Sequence, residues 1–225
     1  MTRPFETGTP ETAYERRSMF AIELVDAVTL APVSQGVKMV ADGIKGTPVV
    51  NSSGAFVWLE QDIANLRKIS IDPGTLPYET LELDPADLRL PPDPLPLTII
   101  ALPPRIDYPF APGFTGLRGS LIETRVGLRI PVGNAEIQLL WLDDNGAWND
   151  APVKSRTGAA SGDFVSILSL TPADIPEVDA DGKLTVRIRV RRDIRERTST
   201  DLKIQQGRVT DPSTLSALTL AWDEL

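Results

Sequence analysis

Short runs in which apolar and polar residues alternate recur along the whole chain, and no stretch sustains a 3.6-residue period over several turns. Phe20-Ala21-Ile22-Glu23-Leu24-Val25-Asp26 alternates in part and predicts a first strand. Residues 37–40, 55–59 and 67–71 predict three more. Tyr78-Glu79-Thr80-Leu81-Glu82-Leu83 alternates cleanly, as a strand with one buried face does. The short, β-branched run 97–102 predicts a strand that closes a first unit. Further on, 117–123, 127–130, 135–142, 164–170 and 184–192 predict strands, with weaker candidates at 202–205 and 215–222. Residues 62–66 predict a single helical turn. Many short strands separated by Gly- and Pro-containing turns define an all-β chain.

Part of the pattern is written twice. Pro32-Val33-Ser34-Gln35-Gly36 leads into Val37-Lys38-Met39-Val40, and Asn51-Ser52-Ser53-Gly54 into Ala55-Phe56-Val57-Trp58-Leu59. Later, Pro131-Val132-Gly133-Asn134 leads into Ala135-Glu136-Ile137-Gln138-Leu139-Leu140, and Ala160-Ser161-Gly162-Asp163 into Phe164-Val165-Ser166-Ile167-Leu168. Each copy is a turn, an alternating strand, a Gly-led turn and a strand opening with Phe. Between the copies, residues 91–112 hold eight prolines. The part around Pro91-Pro92-Asp93-Pro94-Leu95-Pro96 should be stiff and extended. The part from Pro103 to Pro112 carries Tyr108, Phe110 and Phe114 at its end, and is expected to pack on one or both units. The organisation predicted is an extended N-terminal arm over 1–17, a first β-sandwich over 18–102, a Pro/aromatic linker over 103–114 and a second β-sandwich over 115–225. Pro4, Gly8 and Pro10 break any helix in the arm, which is expected to order on a partner, with Phe5 as a candidate contact.

The second copy resembles the carboxypeptidase-regulatory-like domains of the transthyretin-like sandwich group. Those show a turn and strand of the form G-x-P-[VI]-x-x-A-x-V followed by T-x-x-x-G-x-F. Here Pro131-Val132, the strand from Ala135 to Leu142, and Ser161-Gly162-Asp163-Phe164 carry the likeness. Arg129-Ile130 stands where the family's glycine precedes the turn, and 143–155 is a long insertion. The resemblance implies two tandem immunoglobulin/transthyretin-like antiparallel β-sandwiches, used as spacer, docking or adhesion modules. It brings no catalytic residues, since the enzymatic relatives of transthyretin depend on histidines.

Composition narrows the chemistry. Over 225 residues the net charge is −8, of which −6 falls in residues 1–100 and −2 in 101–225. An acidic chain with no broad basic patch is a poor nucleic-acid binder, and no nucleic-acid partner is expected. There is no histidine and no cysteine. That removes Ser-His-Asp hydrolysis, histidine acid–base chemistry, disulfides and Cys or His zinc sites, and no cofactor is expected. No apolar run approaches the ~18 residues of a membrane span, so no membrane insertion is expected. Residues 1–18 lack the apolar core of a secretory signal, and cytoplasmic synthesis is expected, with later release as part of a particle left open.

Three charged features invite chemistry. Asp143, Asp144 and Asp150 are the densest carboxylate group and flank Asn145-Gly146, a turn signal. They are either a solvated loop or the acids of a hydrolase. Asp179-Ala180-Asp181-Gly182 has the look of half a calcium loop, but Ile188 stands six residues after the glycine where a carboxylate is needed, so a hairpin turn is the simpler reading. In Arg187-Ile188-Arg189-Val190-Arg191-Arg192, alternation puts Val186, Ile188 and Val190 on the core face and Arg187, Arg189 and Arg191 on the other, with Arg195 and Arg197 following. The stripe is either a solvated face with cross-strand partners such as Glu136 or Asp143, or a docking strip for an acidic partner. Trp58 and Trp141 fall in strands and are expected in the core; Trp148 and Trp222 are either packed or exposed anchors.

The reading that gathers these features is a non-enzymatic structural or adaptor subunit of a larger assembly, of the kind found in phage-tail-like or contractile injection particles. Other protein subunits, or further copies of the chain, would dock through edge strands and through Arg187, Arg189, Arg191, Arg195, Trp148, Tyr108 and Phe5. The alternatives are a carbohydrate-binding or adhesion module presenting Trp148 or Tyr108, and a carboxylate hydrolase using Asp143, Asp144 or Asp150.

Overall fold

The computed structural model describes residues 18–59, 63–210 and 218–225; the 1–17 arm and Phe5 lie outside these. The described residues are all-β. Seven strands precede the linker: β1 (Ser18–Asp26), β2 (Lys38–Asp42), β3 (Val49–Val50), β4 (Phe56–Leu59), β5 (Lys68–Asp72), β6 (Leu81–Leu83) and β7 (Leu97–Leu102). Ten follow it: β8 (Thr115–Arg125), β9 (Leu128–Pro131), β10 (Glu136–Leu142), β11 (Trp148–Arg156), β12 (Asp163–Leu168), β13 (Lys183–Arg192), β14 (Arg195–Thr198), β15 (Leu202–Gln205), β16 (Val209–Thr210) and β17 (Leu218–Ala221). Helix among the described residues is confined to 3-10 turns at Ile63–Asn65, Pro85–Asp87 and Trp222–Glu224.

One pairing scheme occurs in both halves. Before the linker, β1 pairs antiparallel with β4 and parallel with β7, while β5 pairs antiparallel with β2 and β6. After it, β8 pairs antiparallel with β12 and parallel with β16 and β17, while β13 pairs antiparallel with β10 and β15. In each half two sheets press their apolar faces on one core, the arrangement of a β-sandwich. The first core joins Phe20, Ile22, Phe56 and Trp58 of one sheet to Met39, Ile69 and Ile71 of the other. Phe20 and Trp58 stack with ring centroids 4.6 Å apart. The second joins Leu121, Phe164 and Leu220 to Ile137, Leu139, Trp141 and Ile188. The two Gly-led turns of the written repeat behave alike. Gly54 and Gly162 both take positive φ (89° and 70°), and both deliver a buried Phe two residues later.

Two expectations change. The insertion 143–155, in which no strand is expected, holds all but the last residue of the nine-residue strand β11. It lies at a sheet edge beside β10, where Pro152 is tolerated because the outward N–H positions need no partner, and a register shift between Gln138 and Leu140 absorbs the irregularity. The strand expected over 78–83 shortens to Leu81–Leu83. The N–H of Glu79 donates to the carbonyl of Pro103, and Tyr78 bridges to Pro104, so this stretch is pulled onto the linker.

Candidate interaction surface

The arginine stripe lies on the outer face of the sheet β11-β10-β13-β14. Leu184, Val186, Ile188 and Val190 point into the core, which turns Arg187, Arg189 and Arg191 outward. Arg187 donates to Asp201 (2.7 Å) and lies over the Trp148 ring, 4.1 Å from its centroid. Arg189 bridges Asp150 (2.8 Å) and Glu196 (3.4 Å), reaching across the middle strand. Glu136, an expected partner, pairs instead with Lys154 at 2.8 Å, and Asp143 is spent on its own turn. Beneath this layer Gln138 and Leu140 are buried although they face outward. The long side chains therefore roof the sheet, their stems covering apolar area while the charges find partners.

Arg191 is exposed and forms no ion pair among the described residues. Arg195 departs from the group. Its register opposite Arg192 sets it on the other face of the sheet from the stripe, because directly opposed residues share a face. Trp148 is half-buried under Arg187, with one ring face covered.

Tyr108 lies in the linker and is only 7% exposed. Its hydroxyl donates to Oδ2 of Asp26, which also accepts from the Tyr78 hydroxyl at 3.1 Å. Oδ1 of Asp26 takes the N–H groups of Val28 (2.7 Å) and Thr29 (3.3 Å). Asp26 is 5% exposed, so this buried carboxylate is satisfied by four donors from three segments. Burial, then the charge and hydrogen bond of Asp26, push the Tyr78 hydroxyl up to about 12, and burial pushes Tyr108 higher still. From Tyr108 an aromatic row runs through Phe110 to Phe114, and Arg118 of β8 lies over Phe110 while donating to the Tyr108 carbonyl (2.8 Å). The linker is thus clamped to both halves.

The carboxylate groups singled out in the sequence serve turns and ion pairs. Oδ1 of Asp143 accepts from the N–H groups of Asn145 and Ala147, which holds its carboxyl below the usual range. Asp150 sits on β11 bound to Arg189. Oδ1 of Asp179 accepts from Asp181 and Lys183 in the hairpin turn before β13, and its carboxyl is likewise lowered by those N–H groups. Among the described residues no group of three or more acidic side chains could hold a metal ion. Two crevices of about 520 and 540 Å³ open between the halves, sharing Leu81 and Arg156 in their walls.

Sequence reasoning missed Asp26, which carries no signal beyond a carboxylate at a strand end. It also passed over Val126 and Ile194, apolar residues inside hairpin loops where turn chemistry favours Asn, Asp or Gly.

Fold and surface together define an all-β chain of paired sheets with an arginine-roofed outer face and a clamped linker. Scans against protein-family models, curated proteins and solved structures return no match.

Proposed function

We propose that this chain is a non-enzymatic structural or adaptor subunit of a larger protein assembly, built as two tandem immunoglobulin/transthyretin-like sandwiches of the carboxypeptidase-regulatory-like kind. The observation that carries the reading is the clamp at the linker. A tether between independent binding modules gains nothing from burying a carboxylate under two tyrosine hydroxyls, whereas a spacer must hold its two ends at a set angle. The repeated pairing scheme supports the tandem reading, and the exposed Arg191 and Arg195 supply cations free to meet acidic neighbours. A phage-tail-like or contractile injection particle is one assembly that such a subunit would suit, by analogy of architecture.

The test is the native mass of the species purified from its source, with identification of the chains that come with it. A stable complex far heavier than the 24.5 kDa of one chain, containing other subunits or several copies, is expected. A lone monomer overturns the reading.

A further inference from the structure

Two hairpin tips stand side by side at one end of the second half. One is the β8–β9 turn, with Val126 101% and Leu128 69% exposed; the other is the β13–β14 turn, with Ile194 98% exposed. Glu123, just before the first tip, accepts from Arg192, just before the second, at 3.0 Å, which holds the hairpins together. A Cβ placed on Gly127 would meet no atom within 4 Å, so this tip projects into open space. Val126 takes φ 52°, in the left-handed region that a β-branched residue avoids, and gains no internal packing there. Behind the tips stand Arg125, Arg129, Arg191, Arg192 and Arg195, against Glu123, Asp193, Glu196 and Asp223, the last accepting from the Thr124 N–H at 2.8 Å. Glu123 is held by Arg125 and Arg192 and Glu196 by Arg189; Arg129, Arg191 and Arg195 form no ion pair among the described residues.

We propose that these paired tips are a docking end for an anionic lipid surface, with Val126, Leu128 and Ile194 entering the headgroup layer and the arginines meeting the phosphates. Three aliphatic side chains offer on the order of a few hundred Å², well under the roughly 800 Å² that each partner of a standard protein interface buries. Two convex knobs would need matching recesses in a protein, whereas a lipid surface closes around any shape. Arginine stems set behind an apolar tip let the charge stay at phosphate level while the tip sinks. On a chain of charge −8, the three arginines without an ion pair among the described residues make this end the one an anionic surface attracts, with the acidic remainder held away from it. This contact lies on a membrane and does not span it, and it is independent of the assembly reading.

The experiment is flotation of the purified chain with vesicles of equimolar phosphatidylglycerol and phosphatidylcholine, and with phosphatidylcholine alone, at low and high salt. Binding to the anionic vesicles that weakens with salt is expected. Val126→Asn with Ile194→Asn should lower partitioning about tenfold or more, the factor carried by one buried aliphatic side chain. Arg129→Gln or Arg195→Gln should each lower it about fivefold. Asn suits the left-handed position of Val126, so the double variant should unfold at or above the wild-type temperature, which is measured alongside. No flotation of the wild-type chain, or equal flotation of the double variant, overturns the proposal. So does a concentration-dependent oligomer in sedimentation that the double variant dissolves, since the tips would then serve a second copy.

Discussion

The hydroxyl of Tyr108 donates to Oδ2 of Asp26 across 82 residues of chain, joining the linker to the end of β1. With Tyr78 on the same oxygen and two backbone N–H groups on the other, Asp26 is the one acceptor for all four donors. Asp26→Ala strands the buried Tyr108 hydroxyl and the half-buried Tyr78 hydroxyl and should cost roughly 2–4 kcal/mol, whereas Tyr108→Phe removes one bond and should cost about 1 kcal/mol. Denaturant unfolding of both single variants and the double variant checks this. The clamp account requires the double to cost clearly less than the sum, and strict additivity would refute it.

The same clamp predicts alkaline sensitivity. Burial and Asp26 raise the Tyr78 hydroxyl from 10.0 to about 12, and Tyr108 moves in the same direction. The folded state thus holds these protons more tightly than the unfolded chain. The stability they confer is fully present below pH 10 and is lost as pH rises through about 12. Melting temperature followed across that window should fall steeply for the wild-type chain. Replacing both tyrosines by Phe should flatten the fall, and an unchanged slope would exclude them as its source.

Val126 and Gly127 occupy a two-residue hairpin loop with φ 52° and 78°, a geometry in which Asn-Gly is the favoured pair. Val126→Asn should therefore stabilise the chain by roughly 1 kcal/mol, since an ordinary side chain in the left-handed region costs about 1–2 kcal/mol and Asn offsets part of it. Thermal unfolding reads this directly. A lower melting temperature would mean that Val126 makes contacts in solution that its full exposure does not predict.

Arg187 covers Trp148 and pairs with Asp201, above the buried Leu140. Arg187→Ala should shift Trp148 fluorescence to the red and cost about 1 kcal/mol, more than an exposed ion pair alone contributes, because packing is lost with the charge. Arg187→Lys should recover little of it, since an ammonium lacks the planar face that stacks on the indole. Full recovery by Lys would reduce the contact to simple charge.

Much of this architecture is legible in the chain because strand patterning is local. Alternation alone sets Val186, Ile188 and Val190 inward and Arg187, Arg189 and Arg191 outward, and the Gly-Ala-Phe and Gly-Asp-Phe openings announce the Phe56 and Phe164 strands. The aromatic content of 103–114 likewise foretells a linker that packs. β11 hides from the same reasoning because an edge strand tolerates Pro152 and bears polar residues on its open side, so its composition is that of a loop.

What the sequence by itself determined is therefore the periodic part: an all-β chain, the inward and outward faces of its strands, and a pattern written twice. Tertiary structure alone decided the partners. It chose Asp150, Glu196 and Asp201 over Glu136 and Asp143 for the arginines, put Tyr108 on Asp26, and drew Val126 and Ile194 to one end through Glu123 and Arg192. The physical reason is range. A side chain's face follows from its neighbours two residues away, but the group it meets follows from strand order and register, which only the closed sheets fix.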